Sequence, residues 1–198
     1  LKLTEVVYAG QDWGGPIGMG ALARSPDLLK GAVLLNTGFN APTEKMDLSR
    51  AHALVKTPVV GELMLEVFLS IFERLPQMQG DPDSMPAAVV ELYGRPVEES
   101  GNAKAPLAMM RMVPDGPDHP STAAMGVIEA YVKGLEVPAE IVWGMNDPIL
   151  AKALPLMKQN FPDAPVTETE GGHFLQEEVP VEIAAALLRV MDQIQLSE

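Results

Sequence analysis

Three short segments carry side chains able to do nucleophilic or acid-base chemistry, and each has glycine close to the reactive residue. They are Gly10-Gln11-Asp12-Trp13-Gly14-Gly15, Gly144-Met145-Asn146-Asp147-Pro148 and Gly171-Gly172-His173-Phe174. A carboxylate can attack an electrophilic carbon, a neutral imidazole can take a proton from water, and a second carboxylate can fix the tautomer of that imidazole. Each segment also has a plain reading. Asp12 can cap a glycine-rich helix entry, Asp147 before a proline can be a turn residue, and His173 after two glycines can belong to an ordinary loop. The elements that hold the three segments decide between these readings.

All three follow short apolar runs. Val6 to Ala9 reads as a buried parallel strand, and Pro16 to Arg24 has the small and apolar residues of a helix packed on a sheet, stopped by Ser25-Pro26. A second run, Ala32 to Leu35, completes a βαβ unit. After Pro138, the pattern predicts a strand over Ile141 to Trp143, a helix over Leu150 to Phe161, a strand over Val166 to Thr169 and a closing amphipathic helix over Ile183 to Ile194. From about Asn40 to Leu135, Pro and Gly interrupt short amphipathic pieces such as Gly61 to Leu75 and Ala123 to Lys133. The expectation is an α/β core over residues 1–39 and 136–198, with a mostly helical cap inserted over 40–135. Eight of the 12 methionines fall in that insertion, where they serve either as adaptable core or as the lining of an apolar substrate cavity.

Composition narrows the partners. With 198 residues, 47% of them apolar, the chain can bury one substantial core. A net charge of -13, with 14 scattered basic residues, argues against nucleic acid. The absence of cysteine excludes disulfides and thiolate metal sites and fits a reducing compartment, so a cytoplasmic location is expected. No apolar run approaches the roughly 18 residues of a membrane span, and residues 1–20 lack a basic segment followed by an apolar one. Neither His nor Asp/Glu residues show zinc-like spacing, and no metal or cofactor is assigned.

The glycines two before and two after Asp12 match the strained strand-to-helix turn of α/β-hydrolases, written Gly-x-Ser-x-Gly in esterases. Asp12, Asp147 and His173, each at the C-terminal end of a strand, follow the chain order of nucleophile, acid and histidine in that fold. Gln11-Asp12-Trp13-Gly14-Gly15, together with Gly172-His173-Phe174-Leu175-Gln176-Glu177, resembles the haloalkane dehalogenase family. The likeness runs over essentially the whole chain and includes Tyr93-Gly94-Arg95-Pro96, similar to a cap segment of those enzymes. It implies the C-terminal portion of the mostly parallel α/β-hydrolase sheet with an inserted helical cap. It further implies hydrolysis of haloalkanes to alcohol and halide through an alkyl ester on Asp12. By this resemblance Asp12 is the nucleophile, His173 the base, Asp147 the acid that orients it, and Trp13 one of two halide donors. The implied partners are a small apolar halogenated substrate, water and a halide ion.

Two features of the family pattern are not found. The second halide donor is a cap Trp or an Asn from near the start of the fold; Trp143 lies outside the cap and reads as core, so an Asn is expected. The His-Gly-x-Pro oxyanion segment also belongs upstream, so a preceding segment of the same fold is expected beside the strand Val6 to Ala9, which should lie in mid-sheet. An epoxide hydrolase would use two cap tyrosines, where only Tyr93 lies securely in the insertion and Tyr131 lies near its end. Fluoroacetate dehalogenases carry Arg at the place of Trp13. A non-catalytic ligand-binding protein on the same scaffold is the alternative from a different class. His52 and His119 read as surface or capping residues, Asn36 as a residue that follows the second strand and could reach the site but more simply makes a strand-end hydrogen bond, and Glu177 and Glu178 as acidic residues opening the last helix.

Overall fold

The computed structural model describes residues 2–67, 72–101 and 104–195. The chain opens with β1 (Val6–Gln11), α1 (Gly14–Leu22) and β2 (Leu29–Leu35). Helices α2 (Arg50–Lys56), α3 (Val60–Glu62), α4 (Ala87–Ser100), α5 (Lys104–Arg111) and α6 (Thr122–Lys133) follow. The chain then runs through β3 (Ala139–Gly144), α7 (Leu154–Asn160), β4 (Val166–Thr169), α8 (Leu175–Glu178) and α9 (Pro180–Gln195). The four strands form one parallel sheet in the order β1-β2-β3-β4. Because all run the same way, Asp12, Asn36, Asp147 and His173, which follow the C-terminal ends of the four strands, share one edge of the sheet. Among the described residues β1 pairs only with β2, and its other edge carries no strand.

Two-residue alternation divides the strands between two apolar layers. Ala32, Leu34, Ile141 and Trp143 face a cluster with Met19 and Leu22 of α1, Val132 of α6 and Leu154 and Met157 of α7. Val33, Leu35 and Val142 face Leu175 of α8 and Ala186 and Val190 of α9. Both sides of the sheet are therefore covered, which is why its strands read as continuous apolar runs. Burying one such Val, Leu or Ile side chain contributes about 1.5–3 kcal/mol. Trp143 is fully buried, as expected of core, and its indole N-H donates to the Ala151 carbonyl at 3.1 Å.

One buried charge interrupts this layer. Glu140 of β3 is 1% exposed and takes a two-point bond from Arg189 of α9, with Nε at 2.7 Å from Oε1 and Nη2 at 2.6 Å from Oε2. The pair ties the closing helix to the interior strand.

The chain forms two compact units, the first made of Leu1–Asn40, Met78–Asp81 and Ala124–Glu198, the second of Ala41–Gln77 and Pro82–Ala123. The second has its own small core of Val55, Leu65 and Leu107, with Met64 and Met110 packed on it. Ion pairs between Arg111 and Glu62 and between Lys56 and Asp115, both at 2.8 Å, link its pieces.

Several elements differ from the sequence expectation. The helix expected over Gly61 to Leu75 is not continuous: α3 passes into a π turn over Leu63–Val67, and a 3-10 stretch spans Phe72–Met78. Residues 68–71 of that expectation lie outside the described residues. Apolar spacing does not separate these helix types, because i→i+3, i→i+4 and i→i+5 turns all bring similar residues to one face. The predicted helix over Leu150 to Phe161 begins as a 3-10 turn at Ala151–Ala153 and becomes α-helical only at Leu154, with Pro155 in its first turn. Glu177 and Glu178 do not open the last helix. They end the short α8, and α9 starts afresh at Pro180 after a non-helical Val179. No described helix is long and apolar enough to cross a membrane.

Candidate active site

Asp12 occupies the tight turn between β1 and α1 with φ of 45°, one of two non-glycine residues at positive φ among those described. A side chain in that conformation costs roughly 1–3 kcal/mol and persists only where its surroundings hold it. Four contacts do so. The Asp12 N-H donates to the Asn36 carbonyl at 3.0 Å, and the Asp12 carbonyl accepts from Gly15 N at 3.0 Å and from the Thr37 hydroxyl at 2.7 Å. The Tyr8 hydroxyl donates to the Gly14 carbonyl, and burial pushes its pKa up to about 12, so it stays a donor across the neutral range. Gly15 is required by space: a Cβ there would lie 1.9 Å from the Thr37 hydroxyl oxygen.

Asp147 and His173 meet on the neighbouring strand ends. Asp147 Oδ2 lies 2.9 Å from His173 Nδ1, and both residues are buried. Asp147 Oδ1 accepts from Ile149 N at 2.7 Å and Leu150 N at 3.0 Å, an Asx-type turn that fixes the carboxylate. An ionised carboxylate only accepts, so Nδ1 carries the proton toward Asp147 and Nε2 is left with its lone pair. Burial alone would lower the His173 pKa, but the Asp147 hydrogen bond, the Asp147 charge and the charge of Asp12 outweigh it and raise the value. Burial would likewise raise Asp147, yet its bond to His173, the imidazolium charge and the two backbone N-H donors hold it below the usual carboxylate range. The influence of Asp12 on His173 brings the three sequence-predicted residues into one electrostatic group.

Two residues not singled out for the site join its parts. Asn36 is fully buried and donates through Nδ2 to Asp147 Oδ2 at 2.8 Å and to the Gly144 carbonyl at 3.0 Å, while its Oδ1 accepts from Gly144 N at 2.7 Å. The strand-end bond expected of it is present, and the link to Asp147 is added. Gln11 donates through Nε2 to the His173 carbonyl at 2.9 Å. Its position directly before Asp12 was the available signal.

Trp13 is half-buried at the start of α1, and its indole N-H has no hydrogen-bond partner among the described residues. His52 and His119 belong to the second unit. His52 bonds Ser49 at the start of α2, and His119 accepts from Ser121 N and faces the Arg111 carbonyl, as capping and turn residues do.

The family model described as the alpha/beta hydrolase fold matches residues 1–180, and the chain belongs to that family. Its sequence is similar to those of curated haloalkane dehalogenases and of a decarboxylase. It is 27% identical over 198 residues to haloalkane dehalogenase 2 of Mycobacterium tuberculosis, covering 95% of this chain and 65% of that protein. It is also 28% identical over 196 residues to the cis-3-alkyl-4-alkyloxetan-2-one decarboxylase of Shewanella oneidensis, covering 97% of this chain and 60% of that protein. The chain thus spans less than two thirds of the length of these curated relatives. The crystal structure of a haloalkane dehalogenase from Bradyrhizobium elkani shares its fold with a TM-score of 0.85 at 20% identity, covering 99% of this chain and 70% of that one. One from Agrobacterium tumefaciens C58 gives 0.76 at 22%, covering 94% and 67%.

Proposed function

We propose that the protein hydrolyses haloalkanes to alcohol and halide through an ester on Asp12, with His173 as base, Asp147 as the acid that orients it and Trp13 as a halide donor. The supporting observation is the grouping of a strained Asp12 with the buried Asp147–His173 pair along one edge of a parallel sheet. In this reading the Asp12 carboxylate attacks the carbon bearing halogen, a C–O bond forms, and the halide leaves with the electron pair of the broken bond. The indole N-H of Trp13 stabilises the departing charge. His173 Nε2 then takes a proton from water as the water oxygen attacks the ester carbonyl. The bond from that carbonyl carbon to the alkyl oxygen breaks to release alcohol and restore the Asp12 carboxylate, and the imidazolium gives its proton up to solvent. Asp147 stabilises the imidazolium formed on the way.

The partners in this reading are a small apolar halogenated substrate, water and halide. Residues 40–135 form the cap in this reading; the second unit begins at Ala41, which supports the first boundary, whereas Met78–Asp81 and the stretch from Ala124 onward belong to the first unit. The location is cytoplasmic.

Replacing His173 with Phe is the test. Substitution needs no base and hydrolysis does, so incubation with a bromoalkane traps one alkyl group on the peptide carrying Asp12, read by mass spectrometry. An adduct elsewhere, or none despite bound substrate, rejects the assignment. A second reading is opening of an oxetan-2-one ring with loss of carbon dioxide, favoured by the 28% identity to the Shewanella decarboxylase. Carbon dioxide released from an oxetan-2-one, with no halide from bromoalkanes, identifies that activity.

A further inference from the structure

The segment Met78–Asp81 belongs by chain order to the insertion, yet it packs as part of the first unit. Its contacts there are concentrated on the loop that carries His173. The His173 N-H donates to the Met78 carbonyl at 2.8 Å. The Gln79 side chain bridges the next residue, with Nε2 donating to the Phe174 carbonyl at 3.1 Å and Oε1 accepting from Phe174 N at 2.9 Å. With Gln11 on the His173 carbonyl, every backbone polar group of His173 and Phe174 is engaged, and three of the four are held by Met78 and Gln79.

Glu178 closes the arrangement from the other side. Its carboxylate accepts from Gly172 N at 2.6 Å, Gly80 N at 3.2 Å and Asp81 N at 2.7 Å, joining both strands of the junction through one side chain. The backbones approach too closely for larger residues. A Cβ on Gly172 would lie 2.3 Å from the Met78 carbonyl oxygen, and one on Gly80 would lie 2.1 Å from that of Glu170. Gln79 is itself buried.

We propose that Met78–Asp81 is a strap that positions the imidazole of His173, with Gln79 and Glu178 as its positioning residues. The inference rests on the reading of Asp12 as nucleophile and His173 as base. Attack on the substrate carbon depends on Asp12, whereas ester hydrolysis depends on the placement of Nε2 against water and ester, and small displacements of such a group change rates by large factors. The strap therefore governs the second step and leaves the first alone.

Gln79→Ala and Glu178→Gln in the full chain test this. In rapid-quench mass spectrometry with a bromoalkane, both variants should form the Asp12 alkyl ester within about twofold of the parent rate and hydrolyse it roughly tenfold or more slowly. The ester then accumulates during turnover. The His173 ring resonances give a readout that needs no substrate: freed of the strap, the ring loses part of its bond to Asp147, and its titration moves down toward the ordinary value. Arg189→Met, remote from the loop, is the control for general destabilisation. An unchanged His173 titration in both variants overturns the proposal, as does a change matched by Arg189→Met at equal loss of Tm. Hydrolysis and alkylation falling in parallel also overturns it. If His173→Phe traps no ester, the dehalogenase reading fails, and the ring titration still decides whether the strap positions His173.

Discussion

Asn36 Nδ2 and Asp147 Oδ2 are 2.8 Å apart, and this is the Asp147 oxygen that faces His173. Asp147 is thus anchored to the strand that follows the Asp12 turn, and Asn36 also carries the Asp12 N-H on its backbone carbonyl. Replacing Asn36 with Ala leaves Gly144 N-H and C=O and one lone pair of Asp147 short of partners in a buried site. Leaving such a group unsatisfied costs about 1–3 kcal/mol. The expected outcome is a lower urea midpoint at unchanged m value and slower ester hydrolysis. A midpoint equal to the parent's shows that water replaces the amide at no cost.

The acid-base pair makes opposite demands of pH on stability and on activity. His173 is raised on folding, so its contribution to stability is complete below 6.5 and is lost as pH rises through the higher folded value. Asp147 is lowered, so its contribution is present above 3.8 and is lost as pH falls through the lower folded value. With His173 as the proposed base, activity depends on its neutral form and should rise with pH through the raised pKa of His173. In Asp147→Asn the acid limb should shift to lower pH as overall turnover falls. A pH-rate profile of the variant with its acid limb at the parent's position would show that Asp147 does not set the His173 pKa.

Bromide or iodide should quench the fluorescence of Trp13 in a saturable manner, against a constant background from the buried Trp143. Trp13→Phe should remove the saturable part and slow halide release or alkylation. Retention of both the response and normal turnover places the halide elsewhere.

Arg189→Met leaves the Glu140 carboxylate buried without its partner. Breaking a buried pair costs about 3–5 kcal/mol, and because Arg189 is half exposed the expected loss here is nearer about 2–3 kcal/mol. Combining it with Glu140→Leu should recover most of the loss, since an apolar pair fits the surrounding layer of Val33, Val142 and Val190. Thermal unfolding of the two variants checks both statements, and a double variant no more stable than the single one overturns the second.

The candidate triad was legible because each member follows an apolar strand and has glycine nearby, both local signals. What the sequence concealed is non-local. Asn36 reads as a strand-end residue, and nothing within several positions reveals an acid 111 residues away. Glu178 reads as negative charge at a helix start, whereas its carboxylate reaches back to Gly80 and Asp81. The π and 3-10 turns between Leu63 and Met78 share their apolar spacing with an ordinary helix, so composition alone gave one continuous element. Glu140, alone among apolar neighbours on β3, owes its place to a guanidinium 49 residues later.

The spacing of these bonds along the chain bears on the order in which the site assembles. Thr37 meets Asp12 across 25 residues, and His173 meets Asp147 across 26, so each half closes a short loop. Joining the halves through Asn36–Asp147 and Gln11–His173 closes separations of 111 and 162 residues that enclose the whole insertion. Contacts so distant in sequence form late, because the chain entropy lost in closing the loop precedes the bonds that offset it. The pulse-labelled amide of Gly144, which donates to Asn36 Oδ1 across 108 residues, should accordingly gain protection after that of Asp12, which donates to the nearby Asn36 carbonyl.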